Sequence, residues 1–202
     1  QTENARKVAV FGLGSGTIAA YCTPEDSYRF FEIDPKVEYA ARTYFSYLSH
    51  CKNADVVIGD ARLSFQQEGR QDKWEEYDVI VLDAFTDDSI PVHLLTKEAF
   101  DLYLSRLQKD GVIAVNITNR YLDFTNLMAG IARVEGLDAR LIRTESDPES
   151  AAYGATWVLM SRSTLHLPEK TDERWIDLST IDSTVVWTDL RSNLFSVIRQ
   201  DL

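Results

Sequence analysis

Short apolar runs alternate with helix-spaced patterns over residues 7–161. The runs read as strands at Lys7–Phe11, Tyr28–Ile33, Ala54–Ile58, Tyr77–Leu82, Val112–Ile117, Ala139–Thr144 and Thr156–Ser161. Several are apolar without a break, the pattern of strands covered on both faces. Helical stretches fall between them at Thr17–Tyr21, Pro35–Tyr44, Ala61–Gln67, Thr96–Leu107 and Leu122–Glu135. Thr96 is placed to cap its helix, and Gly111 and Gly136 are placed as stops. Repeated strand–helix–strand order predicts an α/β fold with a doubly wound, mostly parallel seven-stranded sheet. Residues 162–186 are more polar, with a short helical candidate at Asp172–Asp177, and the tail Val185–Ile198 turns apolar again. The pattern predicts one domain over 1–202, its core at 1–161 and a C-terminal extension at 162–202 docked on that core.

Composition narrows the partners. The 202 residues carry 21 Lys and Arg against 32 Asp and Glu, a formal charge of −11. Such a field repels phosphate backbones and anionic lipid and tilts the expectation toward a cationic small molecule, with no nucleic acid. No apolar run has the length of a membrane span and no signal peptide is visible, so a cytoplasmic domain is expected. Cys22 and Cys51 form neither a disulfide framework nor a zinc-ligand cluster by spacing, and they read as structural thiols of a reducing compartment. No HExxH or CxxC spacing occurs, so a metal-independent site is expected.

Three strand ends carry ligand-binding signals. The first strand runs into Gly12-Leu13-Gly14-Ser15-Gly16-Thr17 and straight on to a helix. Glycines let the backbone turn tightly and approach a ligand, but GxGxG lacks the third glycine of the dinucleotide fingerprint GxGxxG. The second strand ends in Glu32-Ile33-Asp34-Pro35, where a carboxylate can accept both hydroxyls of a ribose. Glu32 at the tip is the better ribose ligand, and Asp34 reads as a helix cap. The third ends in Ile58-Gly59-Asp60-Ala61, where Asp60 can meet an adenine amine and the next amide a ring nitrogen; a simple N-cap is the competing role. In a doubly wound sheet these ends share one carboxyl edge. Together they indicate an adenosine-containing ligand whose sulfur end points toward the fourth strand.

That strand ends in Asp83-Ala84-Phe85-Thr86-Asp87-Asp88, three carboxylates in six residues. Asp83, Asp87 and Asp88 are the candidate catalytic acids: they can bind an ammonium group, and one can deprotonate an attacking amine. A solvated acidic loop is the competing role. His93 reads as a packed or surface residue ahead of the Thr96 helix. Arg120 and Tyr121 are candidate site walls, and Trp187 and Asp189 are candidates to close the site from the tail unless Trp187 is core.

The set GLGSGT, FFEIDP, IGDAR, YDVIVLDAF and IPVHLLT resembles the spermidine synthase family, the polyamine aminopropyltransferases. It looks closest to the spermidine-synthase-like domains fused behind multi-pass membrane transporters, and NITNRYL and WTDLRSNL look like that branch too. The resemblance implies a class I methyltransferase-like Rossmann fold. It also implies a site for decarboxylated S-adenosylmethionine, S-adenosylmethionine or the methylthioadenosine product, with an amine such as putrescine as acceptor. By position, Gly12, Gly14, Ser15 and Gly16 would line the sulfur end, Glu32 the ribose, Asp60 and Ala61 the adenine, and Asp83 the catalytic acid. Ser15 replaces the Asp of the family's GGGDGG-like loop, the DxxDP acid pair is respaced, and the family's N-terminal hairpin domain is absent from this sequence.

Three functions follow: aminopropyl transfer; another S-adenosylmethionine reaction, whether methyl transfer, elimination or cyclisation; or a non-catalytic nucleoside-binding domain that regulates an attached transporter. The family also allows a homodimer. With no initiator Met, a core strand at residue seven and no hairpin domain, the chain is expected to be the soluble part of a longer polypeptide.

Overall fold

The computed structural model describes residues 5–70, 76–84, 91–147, 153–167 and 175–199. Among them are strands β1 (Lys7–Phe11), β2 (Ser27–Glu32), β3 (Ala54–Ile58), β4 (Tyr77–Leu82), β5 (Leu107–Asn116), β6 (Asp138–Thr144), β7 (Ala155–Ser161) and β8 (Trp175–Asp177). The helices are α1 (Pro35–Tyr44), α2 (Tyr47–His50), α3 (Ala61–Arg70), α4 (Lys97–Ser105) and α5 (Thr125–Glu135). Two compact units divide the chain: Gln1–Ala84 with Leu102–Gly111, and Phe85–Asp101 with Val112–Leu202.

The first unit orders its strands β3-β2-β1-β4, followed by the first half of β5. The pairs β2–β3, β1–β2 and β1–β4 are all parallel, with Phe11 opposite Phe31 on one side and Leu82 on the other. β1 therefore lies inside the sheet, as an apolar VAVF run demands. Its Phe11 meets Phe31, Phe65 of α3 and Tyr103 of α4 edge-on at 5.2–5.3 Å. Burying each such ring contributes roughly 1.5–3 kcal/mol. Arg106 is buried beside them, its guanidinium 4.0 Å above the Phe65 ring and donating to the Phe65 carbonyl at 2.6 Å.

In the second unit, the rest of β5 is followed by β7, β6 and β8. Strand β7 runs antiparallel to both β5 and β6, so it is the reversed strand between two that run the same way. In the apolar tail, Trp187 is buried edge-on to Phe124 at 5.9 Å, and the Val185 backbone lies against Gly130 of α5. A Cβ on Gly130 would stand 2.9 Å from the Val185 carbonyl carbon, so this helical glycine is a contact rather than a break.

Several sequence expectations need correction. The strands number eight among the described residues, not seven, because Trp175–Asp177 pairs with β6 where the sequence suggested a helix over Asp172–Asp177. The free edge of β6 supplies backbone partners that helical spacing cannot register. Strand β5 begins at Leu107 rather than Val112, and Gly111 lies within it, where a Cβ would be 3.0 Å from the Asp78 carbonyl of β4. Helix α5 starts at Thr125, since Leu122 forms a bridge with Ile198 and the Asp123 side chain accepts the Thr125 amide at 2.8 Å. The two cysteines are not free thiols: Cys22 and Cys51 form a disulfide across 29 residues. Their separation in sequence concealed a Cα–Cα approach of 5.4 Å.

Asp26, buried at the start of β2, anchors the N-terminal approach. It accepts from the Arg6 amide, from the Arg6 guanidinium at 2.7 Å and from the Thr23 amide at 2.9 Å. Burial by itself would raise its pKa, but these donors outweigh burial and hold the carboxyl far below the usual 3.8. Its folded value is depressed, so its stabilisation is complete above pH 3.8 and disappears as pH falls from there toward the folded value. In urea at pH 7, Asp26→Ala is expected to lose about 2–4 kcal/mol of unfolding free energy. The gap should persist to about pH 4 and narrow only below it. A gap that closes between pH 7 and 5 would contradict this assignment.

Candidate functional site

The hydrogen-bond ladder of the first unit continues past the strand ends and stitches four tips together. The Gly12 amide donates to Phe31 O at 2.8 Å, the Asp83 amide to Phe11 O at 2.9 Å and the Gly59 amide to Glu32 O at 2.8 Å. In the order β3-β2-β1-β4 this sets Asp60, Glu32, the glycine loop and Asp83 along one edge. Four strands at about 4.8 Å spacing make that row roughly 14 Å long, enough for an elongated ligand laid across it.

Glu32 is buried, and its two carboxylate oxygens are both engaged. Oε2 accepts the Leu13 amide at 3.0 Å and Oε1 the Asp34 amide at 3.0 Å. Each carboxylate oxygen has a second lone-pair direction, so both can still accept a hydroxyl. The acid therefore fixes the glycine loop to the β2 tip and can serve a diol together. Asp34 is the helix cap the sequence suggested: its Oδ1 accepts the Lys36 amide at 2.9 Å, with Pro35 in the first turn. Asp60 also caps, accepting the Leu63 amide of α3 at 2.9 Å through one oxygen, beside a buried Ala61.

The loop glycines have different reasons to be glycine. Gly12, Gly14 and Gly16 all have positive φ, at 95°, 53° and 82°. A Cβ on Gly12 would collide with the Asp83 backbone, 2.8 Å from its carbonyl carbon, and lie 2.9 Å from Ala84 Cα. Gly12 is what allows the β1 and β4 tips to close together, and so sets where Asp83 stands. A Cβ on Gly16 would meet Leu48 Cγ at 3.2 Å. Gly14 is exposed with nothing within 4 Å of a Cβ, which leaves that face open to a ligand. Ser15 and Asp83 are both half-buried.

Asp87 and Asp88 lie outside the described residues. One feature the sequence did not single out is Ile33, an apolar side chain 72% exposed just past the β2 tip, between Glu32 and Asp34. Its place at the end of an apolar run made it read as the last residue of the strand. Other candidates belong to the second unit. Trp187 is core there, and Asp189 accepts the Thr96 hydroxyl at 2.7 Å. Arg120 stacks over the Tyr121 ring at 5.5 Å, and His93 is exposed in the 3₁₀ turn Val92–Leu94. Among the described residues, no group of three or more His, Cys, Asp or Glu could hold a metal ion, and no helix is long and apolar enough to cross a membrane.

No protein-family model matches the chain. It is 36% identical to the polyamine aminopropyltransferase of Vibrio vulnificus over 113 residues, 54% of this chain and 37% of that protein. It is 32% identical to the N-terminal histidine N-methyltransferase of Emericella nidulans over 143 residues, 69% of this chain and 25% of that protein. The chain thus spans well under half the length of these curated relatives. A probable spermidine synthase from Corynebacterium glutamicum has a TM-score of 0.69 at 15% identity, covering 94% of this chain and 74% of that one. The fold is the class I methyltransferase-like Rossmann fold. By sequence, the chain is similar to transferases, the polyamine aminopropyltransferases among them.

The loop makes a discriminating prediction. Gly12→Ala should cost about 2–4 kcal/mol of stability, since it adds a backbone collision to an unfavourable φ. Gly14→Ala should cost only about 1–2 kcal/mol, the left-handed penalty alone. Denaturant unfolding of the two variants checks this, and equal losses would mean that the β1–β4 approach is looser than described.

Proposed function

We propose that the chain binds a cationic adenosyl sulfonium along the carboxyl edge of β1–β4 and transfers its aminopropyl group to an amine. The observation that supports this reading is the row of Asp60, Glu32, the glycine loop and Asp83 on four adjacent strand ends. Adenine would lie at Asp60 and Ala61 and against Ile33, the ribose diol at Glu32, and the sulfur over Gly12, Gly14, Ser15 and Gly16. Asp83 would then face the aminopropyl end. Four carboxylates on one edge (Glu32, Asp34, Asp60 and Asp83) favour a ligand that carries positive charge at both sulfur and amine.

The chemistry asks little of the protein. The lone pair of an amine such as putrescine attacks the carbon beside the sulfonium. A C–N bond forms, the C–S bond breaks, and its electron pair returns to sulfur as neutral methylthioadenosine leaves. The proton shed by the attacking nitrogen passes to Asp83 as general base. The leaving group is already good, so alignment and deprotonation supply most of the rate. Asp87 and Asp88 remain candidates to hold the acceptor's far ammonium.

Methyl transfer is the second reading, favoured by the similarity to an N-methyltransferase and by Ser15 in the loop. The two readings diverge in the donor. The donor's own carboxylate would stand near Asp83, so the decarboxylated form should bind about tenfold more tightly than S-adenosylmethionine at low salt, and the ratio should fall as salt screens the acids. Calorimetry with both donors, and mass spectrometry of products with and without putrescine, tests this. Methylthioadenosine plus an aminopropylated amine is the expected outcome; a methylated product with S-adenosylhomocysteine would replace the first reading by the second.

Two substitutions locate the roles. Glu32→Ala should weaken methylthioadenosine binding by about 1–3 kcal/mol, because the diol loses a charged acceptor. Asp83→Asn should lower turnover by about 10²–10⁴ while leaving nucleoside affinity nearly intact. Unchanged turnover in Asp83→Asn would remove it as the base.

A further inference from the structure

The disulfide sits against the loop that lines the site. Cys22 ends the 3₁₀ turn Thr17–Tyr21, whose N-cap is Gly16, and Cys51 is the C-cap of α2. Leu48 of α2 is buried, and a Cβ on Gly16 would stand 3.2 Å from its Cγ and 3.8 Å from Leu13 Cδ1. Leu13 in turn gives its amide to Glu32 at 3.0 Å. Neighbouring groups therefore link α2, whose C-cap is Cys51, through Leu48 and Gly16 to Leu13, whose carbonyl accepts the Gly16 amide at 2.9 Å, and so to the acid at the β2 tip. The 3₁₀ turn has only five residues and cannot hold itself by its own hydrogen bonds. The bond to Cys51, which also accepts the Ala54 amide at the start of β3 at 3.2 Å, holds that turn on α2.

We propose that the Cys22–Cys51 bond is a thiol-exchange site, and that its reduction by a dithiol frees the glycine loop and lowers the affinity of this edge for nucleoside. The coupling to affinity rests on the nucleoside reading above; the loosening of the loop does not. Cys51 is buried at 3% exposure whereas Cys22 is half-buried, so an external thiolate attacks Cys22 Sγ. A mixed disulfide forms there and the Cys51 thiolate leaves and takes up a proton. The second thiol of the same reductant then attacks the mixed disulfide, releases Cys22 as a thiol and closes the reductant's own disulfide. Two electrons enter the protein and the dithiol is oxidised by the same two. The rest of the unit keeps its own supports in the β1–β4 ladder, the Phe11 cluster and the Arg6–Asp26 pair. Reduction therefore opens the loop locally rather than unfolding the unit.

The test compares oxidised protein, dithiothreitol-reduced protein and the Cys22→Ser, Cys51→Ser double variant by two readouts. Amide hydrogen exchange over Leu13–Tyr21 and Tyr47–Cys51 should quicken in the reduced protein and the variant, while β1 and β4 stay protected. Calorimetry with methylthioadenosine should show roughly 5- to 50-fold weaker binding in both, with dithiothreitol changing nothing in the variant. Equal exchange in oxidised and reduced protein overturns the proposal. Quicker exchange with equal affinity overturns the link to the site. Oxidised protein that fails to bind methylthioadenosine refutes the nucleoside reading instead, and exchange still decides whether reduction loosens the loop. Loss of protection in β1 and β4 on reduction shows a purely structural bond and also overturns the proposal.

Discussion

The carboxylate of Glu32 is the constraint on which the candidate site turns. It joins the amide of Leu13 in the glycine loop to the amide of Asp34 at the head of α1, each at 3.0 Å. A buried carboxylate held by two amides is a rigid link between two strand tips, stronger than neutral hydrogen bonds would make it. The glycine loop and the head of α1 are thus held in place by the chain's own groups.

The packing beneath the edge explains why the tips can be so close. Phe11, Phe31, Phe65 and Tyr103 fill the space under β1 and β2, with Arg106 folded over the rings. That apolar block fixes the strands, and the ladder carries their register one residue beyond each strand end. Gly12 then allows the β4 tip to come against β1. Core, register and glycine act in sequence: each positions the next, and Asp83 stands at the end of that series.

Much of this was legible from residue order. Unbroken apolar runs marked β1 and β4, Asp34-Pro35 marked the start of α1, and the three strand-end motifs fell on adjacent strands as a parallel sheet requires. What stayed hidden depends on approach in space. Gly111 reads as a stop but is a strand residue pressed by Asp78 O, Ile33 reads as the last residue of an apolar strand but is exposed beyond it, and Trp175 reads as helical but pairs with an open edge. The Cys22–Cys51 bond was invisible for the same reason, since β2 and α1 fold back between its two halves. Asp60 shows a further limit: an aspartate just past a strand can cap a helix or face a ligand, residue order alone does not separate the two, and here its Oδ1 accepts the Leu63 amide of α3.

The nucleoside reading thus rests on one row of groups rather than on any single motif. A crystal structure of the chain with methylthioadenosine tests that row most directly. The account predicts the ribose hydroxyls on Glu32, adenine beside Asp60 and Ala61 with Ile33 against its face, and sulfur over Gly12–Gly16 pointing toward Asp83. Methylthioadenosine bound away from the ends of β1–β3, or lying there with Glu32 turned to the loop alone and no contact to the ribose, would contradict it.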